Sequence, residues 1–231
     1  MQRTVTLLLA AAAAFLPQVS AQNGRTLTGW DCCKPACAWK SLLQGSVSGQ
    51  VMVCNKDDQP YNNDQSNSVA SSCGESSEGA NLGYLCSDYQ PRPVAENLAY
   101  GFAITDGIEN CCKCFELQWT EGPAAGKKMQ VQIINEGGSV SESGTRDFIL
   151  LTPGGGVGPN SQGCSAQYGL DWGRQWGGVS QASDCENIPT NMQAGCYWRW
   201  NWARGDVNTW GLQYQPITCP ESLTAISGCR A

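Results

Sequence analysis

The sequence predicts an all-β fold, either a barrel or a sandwich, that is held together by disulfides. Strand-sized runs rich in β-branched and aromatic residues recur along the chain, and clusters of Gly, Ser and Asn separate them. The clearest of these runs begin at Tyr100, Cys114, Met129 and Asp147. The chain also has 14 cysteines and no histidine, and an even number of cysteines in an exported chain favours disulfides.

The N-terminus predicts that the chain is exported. A basic start at Arg3 precedes an apolar run over residues 5–16 and a small-residue site, Val-Ser-Ala, that ends at Ala21. The run is about a dozen residues long, which is too short to span a bilayer. We therefore expect residues 1–21 to be a signal peptide that is removed, leaving a secreted protein with no membrane partner.

The cysteines all lie in residues 22–231. Seven disulfides are the expected arrangement, although spacing alone leaves very many pairings open. A zinc site is the alternative, but adjacent cysteines fit tetrahedral ligation poorly and no histidine could complete the site. We predict neither a metal nor another cofactor. The cysteines are Cys32, Cys33, Cys37, Cys54, Cys73, Cys86, Cys111, Cys112, Cys114, Cys164, Cys185, Cys196, Cys219 and Cys229.

Composition and charge exclude several classes of function. Without histidine there is no Ser-His-Asp or Cys-His catalysis, so carboxylates must carry out any proton transfer. The formal net charge is −6, and removal of Arg3 with the leader makes it one unit more negative. This charge argues against nucleic acid or an anionic membrane as partner. A neutral polymer is compatible with it.

Residues 22–231 predict a single domain, because no linker rich in Pro, Ser or Thr divides them. We expect no appended carbohydrate-binding module. Short helices are predicted over residues 35–43 and 180–186. Residues 57–79 are polar and predict a long surface excursion tied down by neighbouring cysteines, which either lines a groove or only decorates the surface.

Asp31 is the first candidate catalytic residue. It lies between Trp30 and the adjacent pair Cys32 and Cys33, which should be covalently fixed. A catalytic carboxylate needs such rigid placement. The residue pattern alone leaves another interpretation open, in which Asp31 caps a local turn or pairs with Lys34.

The motif over residues 30–37, Trp-Asp-Cys-Cys-Lys-Pro-Ala-Cys, resembles the opening of family 45 endoglucanases of fungi and invertebrates. These proteins cut internal β-1,4 bonds in cellulose-like glucans. The similarity covers essentially all of residues 22–231, and every cysteine has a family counterpart. Further blocks in family order begin at Tyr100, Cys111, Gly122, Pro153, Gly195 and Cys219.

The resemblance implies a six-stranded double-psi β-barrel with long disulfide-tied loops, a few short helices and an open groove for a β-glucan. It also implies hydrolysis with inversion, in which one carboxylate activates water and a second protonates the leaving oxygen. The two carboxyls of such a pair lie about 6.5–9.5 Å apart. Asp31 matches the base, and Trp39 matches a tryptophan that stacks on substrate. We expect a monomer.

The general-acid position is where this sequence departs from the family. Counting back from Pro153 places Ile149 there, and an isoleucine cannot donate a proton. The nearest carboxyl is Asp147, two residues upstream and therefore on the same face of an extended strand, displaced by about 7 Å. A bulge or register shift would bring Asp147 into place as a displaced acid.

Two further departures fall on positions that support catalysis in the family. Gly29 stands where the family has a tyrosine before Trp30, and Ser139 stands where it has an assisting aspartate. Glu136 and Glu142 lie beside and within a loop that is longer than the family's. Either could supply a carboxyl, although a solvated surface is the plainer interpretation of acidic loop residues.

Three hypotheses follow. The favoured one is an inverting endo-β-1,4-glucanase with Asp31 as base and a displaced acid. The second is a non-hydrolytic protein resembling expansins, which share this barrel but keep the acid and lose the base, the reverse of this chain. The third is a catalytically dead relative kept as a glucan-binding lectin or an inhibitor-binding decoy. Hydrolysis would separate the first from the other two.

Overall fold

The structure is a computed structural model that describes residues 21–74, 81–169 and 172–231. The predicted signal peptide, apart from Ala21, lies outside the described residues. No helix in the described ranges has the length and apolar character needed to cross a membrane.

The described part of the chain is mostly strand and irregular backbone, with short helices. The strands are β1 Gln22–Gly29, β2 Ala70–Ser71, β3 Leu82–Gly83, β4 Arg92–Ala95, β5 Leu98–Thr105, β6 Cys114–Trp119, β7 Lys128–Glu136, β8 Arg146–Leu151 and β9 Gly211–Ile217. The α-helices are α1 Asn63–Ser68, α2 Gln162–Tyr168, α3 Gln193–Tyr197 and α4 Glu221–Ser227. A π-helix, Trp198–Trp202, continues α3.

Six of the strands close into a barrel. Their hydrogen-bonded order is β5-β7-β6-β9-β1-β8, and β8 pairs back onto β5 while β4 extends the sheet from β5. The pairs β1–β8 and β5–β7 are parallel, and the remaining barrel pairs are antiparallel. The predicted six-stranded double-psi barrel is confirmed.

Aromatic side chains fill part of the barrel interior. Phe148 meets Tyr214 edge to face with ring centroids 4.9 Å apart, and Phe115 meets Phe148 at 5.7 Å. Edge-to-face contacts of this kind are favourable because the positive edge of one ring faces the negative face of the other. Since these rings pack the interior, a ligand site must be built at the barrel rim by loops.

Seven disulfides cross-link the chain, as predicted, and no cysteine is free. They join Cys32 to Cys164, Cys33 to Cys73, Cys37 to Cys111, Cys54 to Cys86, Cys112 to Cys229, Cys114 to Cys219 and Cys185 to Cys196. Cys114 lies in β6, and the other bonded cysteines lie outside the barrel strands.

The two predicted helices form only short 3₁₀ turns. Over residues 35–43 these are Ala36–Ala38 and Lys40–Leu42, and the extended backbone of Trp39 separates them. Ala182–Asn187 is the turn in the second segment. The predicted excursion over residues 57–79 is described up to residue 74, and residues 75–79 lie outside the described residues. It contains α1, which begins at a reciprocal capping box formed by Asn62 and Gln65.

Candidate active site

A cleft of about 370 Å³ opens at one end of the barrel. Its floor comes from β1, β5 and β8, and its walls come from the loops around residues 156–159, 174–177 and 206–208. Asp31 lies in this cleft together with Ile149, the residue at the expected acid position. The cleft therefore contains both the candidate base, Asp31, and the residue at the expected acid position, Ile149.

Asp31 lies two residues beyond the end of β1 and is held from several sides. Disulfides fix both following residues, since Cys32 is bonded to Cys164 and Cys33 to Cys73. The chain then turns through Cys32, whose φ of 60° is a left-handed conformation that non-glycine residues rarely adopt. The disulfides and the turn give Asp31 the rigid placement that the sequence predicted.

Close packing of α2 adds to this support. A side chain at Gly163 would bring its Cβ within 2.3 Å of the Asp31 carbonyl oxygen and within 2.6 Å of the Cys73 sulfur. Only glycine lets the first turn of α2 approach the backbone of the candidate catalytic residue so closely.

The Asp31 carboxyl has hydrogen-bond donors but no cation. The Cys33 amide donates to Oδ1 at 3.0 Å and the Asn160 side-chain amide donates to Oδ2 at 3.3 Å. Burial raises the pKa of Asp31, and the two hydrogen bonds oppose that rise only in part. The ion pairs found in the described residues do not include Asp31.

Asp147 has a different environment. Its carboxyl is buried, with a relative exposure of 4%, and does not line the cleft. The Arg25 guanidinium donates to Oδ1 at 2.6 Å, and the Ser139 hydroxyl and amide donate to Oδ2 at 2.9 and 3.2 Å. Burial opposes ionisation, but these partners outweigh it and lower the pKa of Asp147.

No irregularity of β8 moves Asp147 toward the cleft. The register with β1 is continuous from Arg25 opposite Asp147 to Leu27 opposite Ile149. Asp147 and Ile149 share a face of β8, as expected, but no bulge or register shift brings Asp147 to the position of Ile149. Ile149 lines the cleft, and Asp147 lies two residues along the strand, outside the cleft lining. An ion-paired, buried carboxylate with a lowered pKa is poorly suited to donate a proton.

Comparison with known proteins decides the family. The sequence profile of "Glycosyl hydrolase family 45" matches residues 23–230, which is most of the chain. The chain belongs to glycosyl hydrolase family 45. The resemblance drawn from the motif over residues 30–37 is confirmed.

Relatives of this family 45 chain come from several groups of organisms. An "Endoglucanase" of Cryptopygus antarcticus is 34% identical over 233 residues, covering 97% of this chain and 96% of that relative. An "Endoglucanase" of Phaedon cochleariae is 38% identical over 215 residues, covering 89% and 83%. A longer protein of Fusarium oxysporum is 38% identical over 229 residues, and the chain spans only 57% of its length.

A solved structure supports the same assignment. The crystal structure of the cellulase from the Antarctic springtail Cryptopygus antarcticus superposes with a TM-score of 0.79 at 33% identity, covering 92% of this chain and 98% of that one. The barrel is therefore the fold that this family 45 relative has.

The departures from the family pattern lie close together in space. Gly29 and Ile149 both line the cleft, and a Cβ at Gly29 would lie 3.0 Å from Cγ2 of Ile149. Ile149 thus lies directly beside Gly29. Ser139 does not line the cleft and instead hydrogen-bonds Asp147. Gly29 and Ile149 together present an apolar surface to the cleft.

The carboxyls of the described cleft are Asp31 and Asp206. Glu136 and Glu142, the loop alternatives, are exposed and line no part of the cleft. Asp206 is also exposed, but its loop is well anchored, because the Asn208 side-chain oxygen accepts hydrogen bonds from the Thr28 amide and hydroxyl at 2.8 and 3.0 Å. Asp206 is thus the second carboxyl that the fold brings into this cleft.

Trp39 lies outside this cleft and is partly exposed. The Lys34 ammonium lies 3.2 Å from the centroid of the Trp39 ring and donates hydrogen bonds to the carbonyls of Asn67 and Val69. Burial lowers the Lys34 pKa to about 8. Lys34 therefore covers one face of the ring, and a sugar could stack only on the other.

Sequence reasoning missed Asn160, Asp206 and Trp176. Trp176 is 66% exposed and lines the cleft from a tight turn in which Arg174 pairs with Gly178. Asp206 and Asn160 stand in polar loops with no local motif to mark them. Trp176 carried the one signal that the sequence offered, because a tryptophan in a Gly-rich segment has no strand of its own on which to pack.

Proposed function

We propose that the protein is an endo-β-1,4-glucanase that hydrolyses internal bonds of cellulose or a related β-glucan with inversion. The observation that carries this proposal is Asp31, a rigidly held carboxyl in an open cleft of a family 45 barrel. Two relatives of similar length are named endoglucanases. In this scheme Asp31 is the base that takes a proton from the attacking water.

A base must be ionised to accept a proton, and the raised pKa of Asp31 bears on this role. The carboxylate becomes available only at a pH above that raised pKa, and there it is a stronger base than an ordinary aspartate. The Cys33 amide and the Asn160 amide stabilise the ionised form. Hydrolysis should therefore have an acidic limb that lies above the ordinary carboxyl range.

The proton for the leaving oxygen needs a second carboxyl. Asp147 remains a prediction that its ion pair with Arg25 and its position outside the cleft lining argue against. Asp206 lies in the cleft, is exposed to solvent and is not ion-paired in the described structure. We propose that Asp206 is protonated in the complex with the glucan and donates that proton to the leaving oxygen, directly or through one water molecule.

The second candidate function is glucan binding without hydrolysis. The observation that favours it is Ile149, an apolar side chain beside Gly29 at the position where the family resemblance expects the acid. In that case the cleft would still hold a sugar chain, and Asp31 would serve as a hydrogen-bond acceptor for a hydroxyl group.

We also propose where the protein acts and in what form. Residues 1–21 would direct secretion, residues 22–231 would act as one domain, and the protein would work as an extracellular monomer on a β-glucan. The seven disulfides fit an oxidising compartment.

The test is release of reducing sugar from carboxymethyl cellulose and mixed-linkage β-glucan by the oxidised protein. Asp31→Asn should lower the rate by on the order of 10²–10⁴-fold, because the proton acceptor is removed. Asp206→Asn should have a comparable effect if it supplies the acid. Asp57→Asn, an exposed aspartate outside the cleft, is the matched control and should leave the rate unchanged.

The outcomes separate the two functions. Activity that survives Asp206→Asn but not Asp31→Asn would remove Asp206 as the acid. A wild type that binds β-glucan without releasing sugar would refute hydrolysis and establish the binding function.

A further inference from the structure

The floor of the cleft contains a row of three branched apolar side chains. Leu27 of β1 stands opposite Ile149 of β8, and Ile149 stands opposite Ile104 of β5. Residues directly opposite each other on paired strands project from the same face of a sheet. All three line the cleft, so they form a continuous apolar row across its floor, which we call the apolar row.

The row occupies the place where the family resemblance puts a proton donor. Ile149 is at its centre, and Gly29 beside it offers no polar atom from a side chain. Leu27 and Ile149 are only partly buried, so they remain accessible to a ligand. Asp31 lines the same cleft, and burial raises its pKa.

Thr28 is the polar lining residue of β1, and its hydroxyl already donates to the Gly155 carbonyl and the Asn208 side chain. The other polar side chains of the described lining lie at the edges of the cleft. Asp31 lies at one side, and Arg174, Gln175, Asp206 and Asn208 come from the loops. These groups can exchange hydrogen bonds with sugar hydroxyls. The floor cannot, so a hydroxyl pressed onto the row would lose its hydrogen bonds to water without replacement.

We infer that the apolar row gives the cleft a preference for β-glucosides that carry an apolar substituent large enough to cover it, such as a phenyl group, over those that carry a small one. The substituent covers Leu27, Ile149 and Ile104, and the sugar hydroxyls meet the polar edges. This inference rests on the proposed function in that it places a β-glucoside in the cleft. It adds a specificity determinant, with Ile149 at its centre.

Burial of an apolar group on an apolar surface is favourable in proportion to the area removed from water. A methyl substituent covers little of the row, whereas a phenyl ring can span neighbouring side chains. The comparison of these two substituents on one disaccharide therefore isolates the contribution of the row. A sulfur atom in place of the glycosidic oxygen prevents hydrolysis during the measurement.

The experiment is titration calorimetry of the oxidised protein with phenyl β-thiocellobioside and methyl β-thiocellobioside. Wild type should bind the phenyl compound about tenfold more tightly or better. Ile149→Asp should reduce that preference to less than about threefold, because a carboxylate interrupts the row. Ile149→Val should keep the preference, since it preserves the apolar surface.

The matched control is Val94→Asp, the same kind of change on a strand residue that is 48% exposed and lies outside the cleft. It should keep the wild-type preference. If Ile149→Asp does not fold, Leu27→Asn provides the same test at the neighbouring strand.

Equal binding of the two compounds by wild type, or no binding of either, would overturn the inference. A preference that survives in folded Ile149→Asp and Leu27→Asn would overturn it too. Failure of the proposed function is visible separately, because it appears as absent hydrolysis of soluble β-glucan whatever the phenyl preference is.

Discussion

Two aspartates near the same barrel rim have opposite surroundings. Asp31 follows β1, faces an open cleft and receives hydrogen bonds only from neutral amides. Asp147 lies in β8, outside the cleft lining, and is paired with Arg25 and Ser139. The pKa of the first is raised and the pKa of the second is lowered.

The difference shows that burial alone does not decide the state of a carboxyl. Burial disfavours the charge at both sites, but a cation at one of them reverses the result. A raised pKa in a cleft is typical of a functional group, whereas a lowered pKa inside an ion pair is typical of a structural one. Asp31 and Asp147 should therefore respond differently to every perturbation.

The largest expected effect concerns the covalent support of Asp31. Removing the disulfide between Cys32 and Cys164 should lower the free energy of unfolding by about 2–5 kcal/mol and abolish hydrolysis. The bond joins residues 132 apart in sequence, next to the candidate base. Chemical denaturation and the reducing-sugar assay would measure the two effects for the Cys32→Ala/Cys164→Ala variant.

The matched control is Cys185→Ala/Cys196→Ala, which opens a disulfide of separation 11 away from the cleft. It should cost less stability, since a short loop restricts the unfolded chain less, and should leave hydrolysis intact. Equal loss of activity in both variants would show that hydrolysis does not depend specifically on the disulfide beside Asp31.

The Asp147 side of the comparison predicts a stability effect without a catalytic one. Asp147→Asn should lower the free energy of unfolding by about 1–3 kcal/mol, because a buried charged acceptor is lost. Hydrolysis should stay within a few-fold of wild type. Glu116→Gln is the matched control, since its partner Lys128 is as exposed as Arg25, at 43% against 44%, but Glu116 itself is less buried; it should cost about 0–1 kcal/mol.

The pH dependence of stability should have opposite signs for the two groups. The lowered pKa of Asp147 contributes stability above the pKa of the unfolded chain, and this is lost as pH falls through the folded pKa. The raised pKa of Asp31 means that the folded state holds its proton longer, so stability falls as pH rises toward the folded pKa.

Thermal unfolding from pH 3 to pH 7 would check these signs. Asp31→Asn should melt above wild type at neutral pH, with the difference vanishing at a pH below about 4. Asp147→Asn should melt below wild type at neutral pH, and that gap should close in acid. A variant Asp31→Asn that melts below wild type at neutral pH would contradict the raised pKa.

The smallest expected effect concerns Trp39. Since Trp39 lies outside the cleft, it can contact only the parts of a long glucan chain that extend beyond it. Trp39→Ala should raise KM for polymeric β-glucan a few-fold and leave kcat unchanged, while Trp39→Phe keeps a ring and should restore much of the binding. An unchanged KM in both variants would remove the stacking role.

Much of the fold could be predicted from sequence because its signals are local. Alternating apolar residues predicted the strands that begin near Tyr100, Cys114, Met129 and Asp147, and the even cysteine count predicted the disulfides. The strands β1 and β9 were missed. β1 contains two Gly, an Asn and a Gln, and β9 begins at a Gly and contains a Pro, so the barrel pairing contributes more than local propensity to making them strands.

The candidate site was only half predictable. Asp31 stands in a distinctive motif, so its position in the cleft could be expected from the sequence. Asp206 enters the cleft through a loop more than 170 residues away in the chain, and no short pattern encodes such a contact. The lowered pKa of Asp147 depends on Arg25. The two residues are neighbours only through the parallel register of β1 and β8.

The most direct test of this account compares Asp31→Asn and Asp147→Asn in one experiment, with hydrolysis of mixed-linkage β-glucan and the free energy of unfolding measured on the same preparations. We expect Asp31→Asn to lose hydrolysis without losing stability. We expect Asp147→Asn to lose stability while still hydrolysing the glucan. Loss of hydrolysis in a folded Asp147→Asn protein, or full hydrolysis by Asp31→Asn, would contradict it.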